Sequence, residues 1–133
     1  MKAGRYFLGD PCYVITSEKW REVCDKSSKS DIFEISNIEL FMSGTKYGDG
    51  SYEDNFGNEY GVDSGTLGCI PLQLCQRKDL VFSDVYDVPQ IVKNSNGYTV
   101  GYVFNFEYDF ECIAYNGKFD FGGKVKIDTA EDD

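Results

Sequence analysis

Histidine is absent from all 133 residues. Without an imidazole the chain cannot assemble a Ser-His-Asp or Cys-His nucleophile pair, and it cannot hold zinc through histidine. Cysteine is present but unpaired in pattern: five residues, at 12, 24, 69, 75 and 112, an odd number with no C-x-x-C spacing. Reduced, mostly buried thiols are the expectation. No apolar stretch of signal-peptide type follows Met1-Lys2-Ala3-Gly4-Arg5, and no run approaches the ~20 apolar residues of a membrane span, which predicts a cytoplasmic protein. Basic residues are scarce, with 13 Lys and Arg against 23 Asp and Glu, a net charge of −10 and a pI near 4.4. Such a surface repels nucleic acid and anionic membranes. Its plainer meaning is solubility; its sharper one is attraction to a basic partner.

Aromatic rings and glycine are plentiful instead. Ten Tyr, ten Phe and fourteen Gly, with 41% hydrophobic residues in 15.0 kDa, predict one domain over residues 1–133 built mostly from strands and tight turns. No cofactor motif and no metal-ligand spacing appear. Rings of this number fill a core more often than they line a pocket. Stacking on nucleotide bases is disfavoured by the charge, while one small ligand in a barrel mouth stays open as a reading.

The first strand is expected over Arg5 to Leu8, a turn at Asp10-Pro11, and a second short strand over Cys12 to Ile15. A helix follows from Ser17, with Glu18 in its first turn and Trp20, Val23 and Cys24 on one face; it should end between Asp25 and Ser28. Phe33 and Ile35, then Ile38, Leu40 and Met42, alternate as two strands around Ser36-Asn37. Residues 51–54 and 59–62 flank a four-residue loop, Asn55 to Asn58, as a hairpin. Pro71 opens a helical turn to Cys75. Leu80 to Phe82 and Gln90 to Lys93 are short strands, and Thr129 to Asp133 a disordered tail.

Beyond the turn at Asn94 to Gly97, Tyr102, Phe104, Phe106, Tyr108, Phe110 and Cys112 alternate with Val103, Asn105, Glu107, Asp109 and Glu111 before Asn116-Gly117. A two-residue turn there sets Tyr115 against Lys118, Ala114 against Phe119 and Cys112 against Phe121. Continued, the same register sets Asp109 against Lys124, Tyr108 against Val125, Glu107 against Lys126 and Phe106 against Ile127, every apolar pair on one face. The predicted class is therefore mostly β, at the margin of α+β. It is a curved antiparallel sheet or partly open barrel with a long C-terminal hairpin in a meander over Gln90 to Asp128. One short N-terminal helix packs on it.

Three stretches concentrate reactive groups. Tyr47 to Gly65 is rich in oxygen ligands and glycine, as a Ca²⁺ loop is, but with Asp49 first the sixth position is Asp54, not the glycine an EF-hand needs. A solvated acidic hairpin edge explains it more simply. In Asp63-Ser64-Gly65-Thr66-Leu67-Gly68-Cys69, Ser64 or Cys69 lacks a histidine to activate it, and the glycines suit special backbone positions. Cys12, after its turn, has neither a helix N-terminus nor an evident cation to lower its pKa.

Gly9-Asp10-Pro11-Cys12-Tyr13-Val14, followed by Tyr47-Gly48-Asp49-Gly50, Gly57, Tyr60, Val62-Asp63-Ser64-Gly65 and Gly68, resembles a group of small bacteriophage and bacterial proteins with no assigned activity. The likeness covers about the first half of the chain and implies a phage-related accessory protein acting on a host or competitor. No site residue comes with it. The charge, the missing histidine and the β composition together predict a non-enzymatic interaction protein, such as an inhibitor or immunity-type antagonist of a basic, nucleic-acid-handling partner, docking through Asp49, Glu53, Asp54, Glu59 and Asp63. The alternatives are a small-ligand or divalent-cation module on the same hairpin, and an enzyme using Cys12, Asp63 or Ser64.

Overall fold

A computed structural model describes residues 1–130. The elements in chain order are β1 (Gly4–Gly9), α1 (Ser17–Ser27), β2 (Ile32–Ile35), β3 (Ile38–Gly44), β4 (Gly50–Glu53), β5 (Glu59–Val62) and β6 (Thr66–Pro71). Then follow β7 (Val81–Phe82), β8 (Gln90–Lys93), β9 (Thr99–Phe106), β10 (Cys112–Tyr115), β11 (Lys118–Phe121) and β12 (Val125–Asp128). One antiparallel sheet of seven strands runs β2-β3-β6-β1-β9-β8-β7; β10-β11-β12 form a second sheet and β4-β5 a hairpin. The protein is thus mostly β with one short helix, and the main sheet stays open, with β2 and β7 as its outer strands.

Both faces of the main sheet are covered. On one side α1 brings Val23 and Trp20 onto Phe7, Ile35, Leu40, Ile70 and Val103. On the other, the hairpin and the small sheet bring Tyr60, Val62, Phe119, Phe121, Val125 and Ile127 onto Tyr6, Leu8, Phe41, Tyr102, Phe104 and Phe106. β1 sits at the centre, so Tyr6 to Gly9 are buried without interruption and its side chains alternate between the two cores. The helix expected to pack on the sheet covers one face only. The ring-bearing face is in fact roofed by strands, because the C-terminal segment folds back over it.

That folding back corrects the long hairpin. The Asn116-Gly117 turn forms with positive φ at both residues, and Tyr115–Lys118, Ala114–Phe119 and Cys112–Phe121 pair as expected. Further on, the chain reverses again at Gly122-Gly123, both at positive φ, with the Gly123 N–H on Asp120 Oδ1 at 2.7 Å. Val125 and Ile127 consequently face Phe121 and Phe119, not Tyr108 and Phe106. Glu107–Lys126 and Asp109–Lys124 do not pair: Asp109 takes the Ala3 N–H at 2.9 Å and lies 3.7 Å from Lys2, and Lys124 turns to the Asn105 carbonyl. Val125 and Ile127 keep apolar partners either way; the glycine pair decides which ones. The meander therefore spans Cys112 to Asp128, while β8 and β9 join the main sheet around Asn94 to Gly97.

Two smaller expectations also change. Pro11–Tyr13 is a 3₁₀ turn, not a strand, because the Asp10 carboxylate caps it through the Cys12 N–H at 2.9 Å. Thr129 is buried, donating its N–H to the Gly117 carbonyl at 2.8 Å and accepting from the Lys46 N–H at 3.0 Å, so the tail does not begin there. Residues 131–133 of the expected tail lie outside the described residues. The helix, the Ser36-Asn37 turn, the Asn55–Asn58 hairpin and the turn after Pro71 stand where the sequence places them.

Gly9 and Gly101 face each other across β1 and β9, and the buried Phe7 ring lies over both. A methyl group at 101 would overlap that ring and sit 2.6 Å from the Leu8 carbonyl oxygen. Gly101→Ala is therefore expected to cost about 1–3 kcal/mol by overpacking, lowering the melting temperature by several degrees in a calorimetric scan. An unchanged melting temperature would mean that the Phe7 ring is not locked over the glycine pair.

Candidate functional site

The two stretches that carry the sequence resemblance meet at one carboxylate. Asp10 is fully buried at the end of β1. Its Oδ1 accepts from the Cys12 N–H at 2.9 Å and the Ser64 hydroxyl at 2.7 Å; its Oδ2 accepts from the Asp63 and Ser64 N–H groups, both at 2.7 Å. The Ser64 hydroxyl is also 2.6 Å from that of Thr66. Four donors thus satisfy a buried charge, as burial requires. Tyr13 closes the loop from outside by donating its hydroxyl to Asp63. Asp10 read from sequence as a local turn residue; its long-range role has no local signature.

Ser64 is held at both ends and fixes a loop. Burial, then the adjacent Asp10 carboxylate, push the Cys12 thiol far above its ordinary range. Burial raises Cys75 to about 12 and Cys69 well upward, and burial with the Asp25 carboxylate raises Cys24. These thiols stay protonated at neutral pH and are poor nucleophiles.

The five acids expected to act together are divided by strand alternation. Glu53 and Glu59 are exposed and directly opposite in the β4–β5 register, while Tyr52 and Tyr60, the next pair, turn inward. Asp49 and Asp63 lie one step beyond the Gly50–Val62 pair, both exposed. Asp49 and Asp63 are bend residues outside the strands, so the register sets one like-charged pair, Glu53 with Glu59, directly opposite. Glu59 accepts from the Ser51 hydroxyl at 2.5 Å. Among the described residues, none of the ion pairs, Met1–Glu39, Lys2–Asp109, Lys26–Glu22 and Arg77–Asp79, includes any of these four acids.

Asp54 points the other way. It is buried and accepts from the Phe56 N–H (2.8 Å), the Asn58 N–H (3.0 Å), the Asn58 side-chain amide (3.1 Å) and the Tyr60 hydroxyl (2.7 Å). Burial, then that carboxylate, push the Tyr60 phenol far up. Asp54 therefore shapes the hairpin loop and leaves the docking set. For the cation reading, no group of three or more Asp, Glu or Cys converges to hold a metal ion among the described residues.

Comparison of the chain with protein-family models, curated proteins and solved structures returns no match.

Asp10→Asn turns an amide toward donors that now meet a carboxylate, and is expected to destabilise the fold by about 2–5 kcal/mol, read as a lower urea midpoint at unchanged slope. A loss below about 0.5 kcal/mol would remove Asp10 as the junction between the two segments. Native alkylation at neutral pH should label Cys24, which is exposed, well before Cys69, Cys75 or Cys112, counted by mass spectrometry. Fast labelling of Cys12 would contradict its raised pKa.

Proposed function

We propose that this chain is a non-enzymatic interaction protein. The outer face of its β4–β5 hairpin docks on a basic partner, in the manner of an inhibitor or immunity-type antagonist of a nucleic-acid-handling protein. The observation that carries this reading is the Glu53–Glu59 pair, two carboxylates directly opposite on an exposed hairpin, with Asp49 and Asp63 beyond them and, among the described residues, no ion pair to any of the four. Like charges directly opposite oppose the hairpin by roughly 0.2–1 kcal/mol. A surface row that works against its own strand pairing is accounted for when a partner neutralises it. A field of this sign accelerates encounter with a cationic surface and makes association salt-sensitive. The sequence resemblance supports the setting of a phage-related accessory protein that acts on a host or competitor.

Glu53→Lys places a cation opposite Glu59. It should stabilise the hairpin by a few tenths of a kcal/mol, raising the melting temperature slightly. The double change Glu53→Lys with Glu59→Lys should slow association with a basic protein that the wild-type chain captures from lysate at low salt, and flatten its salt dependence, measured by stopped-flow or surface-based kinetics. Association at the wild-type rate in the double variant would remove this face from the proposal.

A further inference from the structure

Three sulfur atoms from distant parts of the chain meet at one edge of the ring-filled core. Cys69 lies on β6, paired with Leu8 on one side and Phe41 on the other, and belongs to the core beneath the small sheet. Cys112 opens β10 opposite Phe121, and its thiol stands beside that of Cys69, near enough for the two to interact. The Met1 thioether completes the group, 3.4 Å from the Cys112 sulfur. Cys69 is fully buried and Cys112 is 7% exposed. The remaining sulfurs, on Cys12, Cys24, Met42 and Cys75, lie outside this core.

The group is held from its backbone. Met1 accepts the Phe110 N–H on its carbonyl at 2.8 Å, and its ammonium bonds back to the Phe110 carbonyl. The Ala3 N–H adds a bond to Asp109 at 2.9 Å. Phe110 stands two residues before Cys112, so the bonds that fix Met1 also set its sulfur against that thiol. A buried thiol packs as a small apolar group. Two thiols and a thioether brought together on fixed backbone are in addition a ready ligand set.

The way in is acidic. A cleft of about 340 Å³ opens onto Met1 between Glu39, Asp109 and Glu111, with Lys2 and Phe110 as its other walls. All three carboxylates are exposed. Lys2 lies 3.7 Å from Asp109 and the Met1 ammonium 4.0 Å from Glu39, so each cation of the cleft is matched by an acid. Glu111 belongs to no ion pair among the described residues. The mouth keeps a net negative charge, which favours the approach of a cation.

Softness selects the ion. Thiolate and thioether sulfur suit Cu(I), whereas zinc seeks four ligands from thiolate, imidazole and carboxylate, and calcium takes oxygen alone. Three metal–sulfur bonds of about 2.3 Å in one plane set the sulfurs about 4 Å apart. The Cys112–Met1 separation of 3.4 Å has to widen by about half an ångström for this, a shift the flexible, unbranched Met1 side chain can supply.

We infer that Met1, Cys69 and Cys112 form a site for one Cu(I) ion, held by two thiolates and a thioether and reached through the cleft at Glu39, Asp109 and Glu111. On binding, each thiol gives its proton to solvent and forms one sulfur–copper bond. The Met1 sulfur donates a lone pair, and copper stays Cu(I), so no oxidant or reductant takes part. The bound set carries one negative charge, which the Met1 ammonium offsets. The site uses none of the hairpin carboxylates and does not depend on the docking reading.

The test titrates the full, reduced chain with Cu(I) under anaerobic conditions against a chromophoric Cu(I) chelator, with native mass spectrometry counting the ions. One ion held per chain is expected. Cys112→Ala should weaken it roughly hundredfold or more, since losing a residue that only supports a ligand already costs up to about that. Cys24→Ser, on the exposed helix surface, should leave it unchanged. X-ray absorption of the wild-type complex does not depend on any variant folding. It should show three sulfur neighbours at about 2.3 Å, one of them replaced by selenium when the methionines are selenomethionine. No ion held against the chelator, wild-type affinity in folded Cys112→Ala, or loss of binding in Cys24→Ser would overturn the site. So would oxygen or nitrogen neighbours in place of sulfur, or a labelled complex without selenium.

Discussion

The buried carboxylate of Asp10 decides where two distant segments lie. It closes the end of the central strand, caps the 3₁₀ turn that carries Pro11, and holds the backbone at Asp63 and Ser64 where the hairpin returns to the sheet. Pro11 then packs on Gly68 of β6, where a side chain would meet the Pro11 ring and the Phe41 carbonyl, each at 2.8 Å. Residues 9–11 and 63–68 are therefore one contact surface in space. Each residue type in it answers a specific need: a carboxylate with backbone donors, a ring with a fixed φ, and a position with no Cβ.

A second carboxylate repeats the device at the hairpin tip. Asp54 gathers the N–H groups of its own loop and the Tyr60 hydroxyl, and its backbone bridges to Ile127 of the small sheet. The roof over the ring-bearing face is thus tied at Asp54 to one side and at Asp10 to the other. Between them the T-shaped pairs Tyr60–Tyr102 and Phe41–Phe121 fill the space at centroid distances of 5.1 and 5.9 Å. Hydrogen-bonded carboxylates and interlocked rings do here what a disulfide or metal does in smaller domains.

Much of this was legible locally. Asn116-Gly117, Ser36-Asn37, the Asn55–Asn58 loop and the amphipathic spacing of Trp20 and Val23 each announced the element found, because turn chemistry and side-chain period act over a few residues. The long hairpin failed because period alone continued the register through Gly122-Gly123, where two left-handed residues reverse the chain. In the acidic hairpin the parity was available but unused. Positions 49, 53, 59 and 63 share one face of a two-residue repeat, and 54 belongs to the other, so Asp54 could have been separated from its neighbours by counting. Asp10 could not, since nothing near it in sequence marks a bond to residue 63.

Within the described residues every buried side-chain nitrogen or oxygen finds a partner. A chain so consistent inside departs from consistency in two places, both on its surface: the like-charged Glu53–Glu59 pair of the hairpin, and the exposed apolar side chains at the β7–β8 end of the sheet. The first opposes strand pairing and the second solubility. Among the described residues no lysine or arginine forms an ion pair with the hairpin acids. The two places are adjacent, because the hairpin loop reaches a cleft at the β7–β8 connection through the Phe56–Phe104 stack.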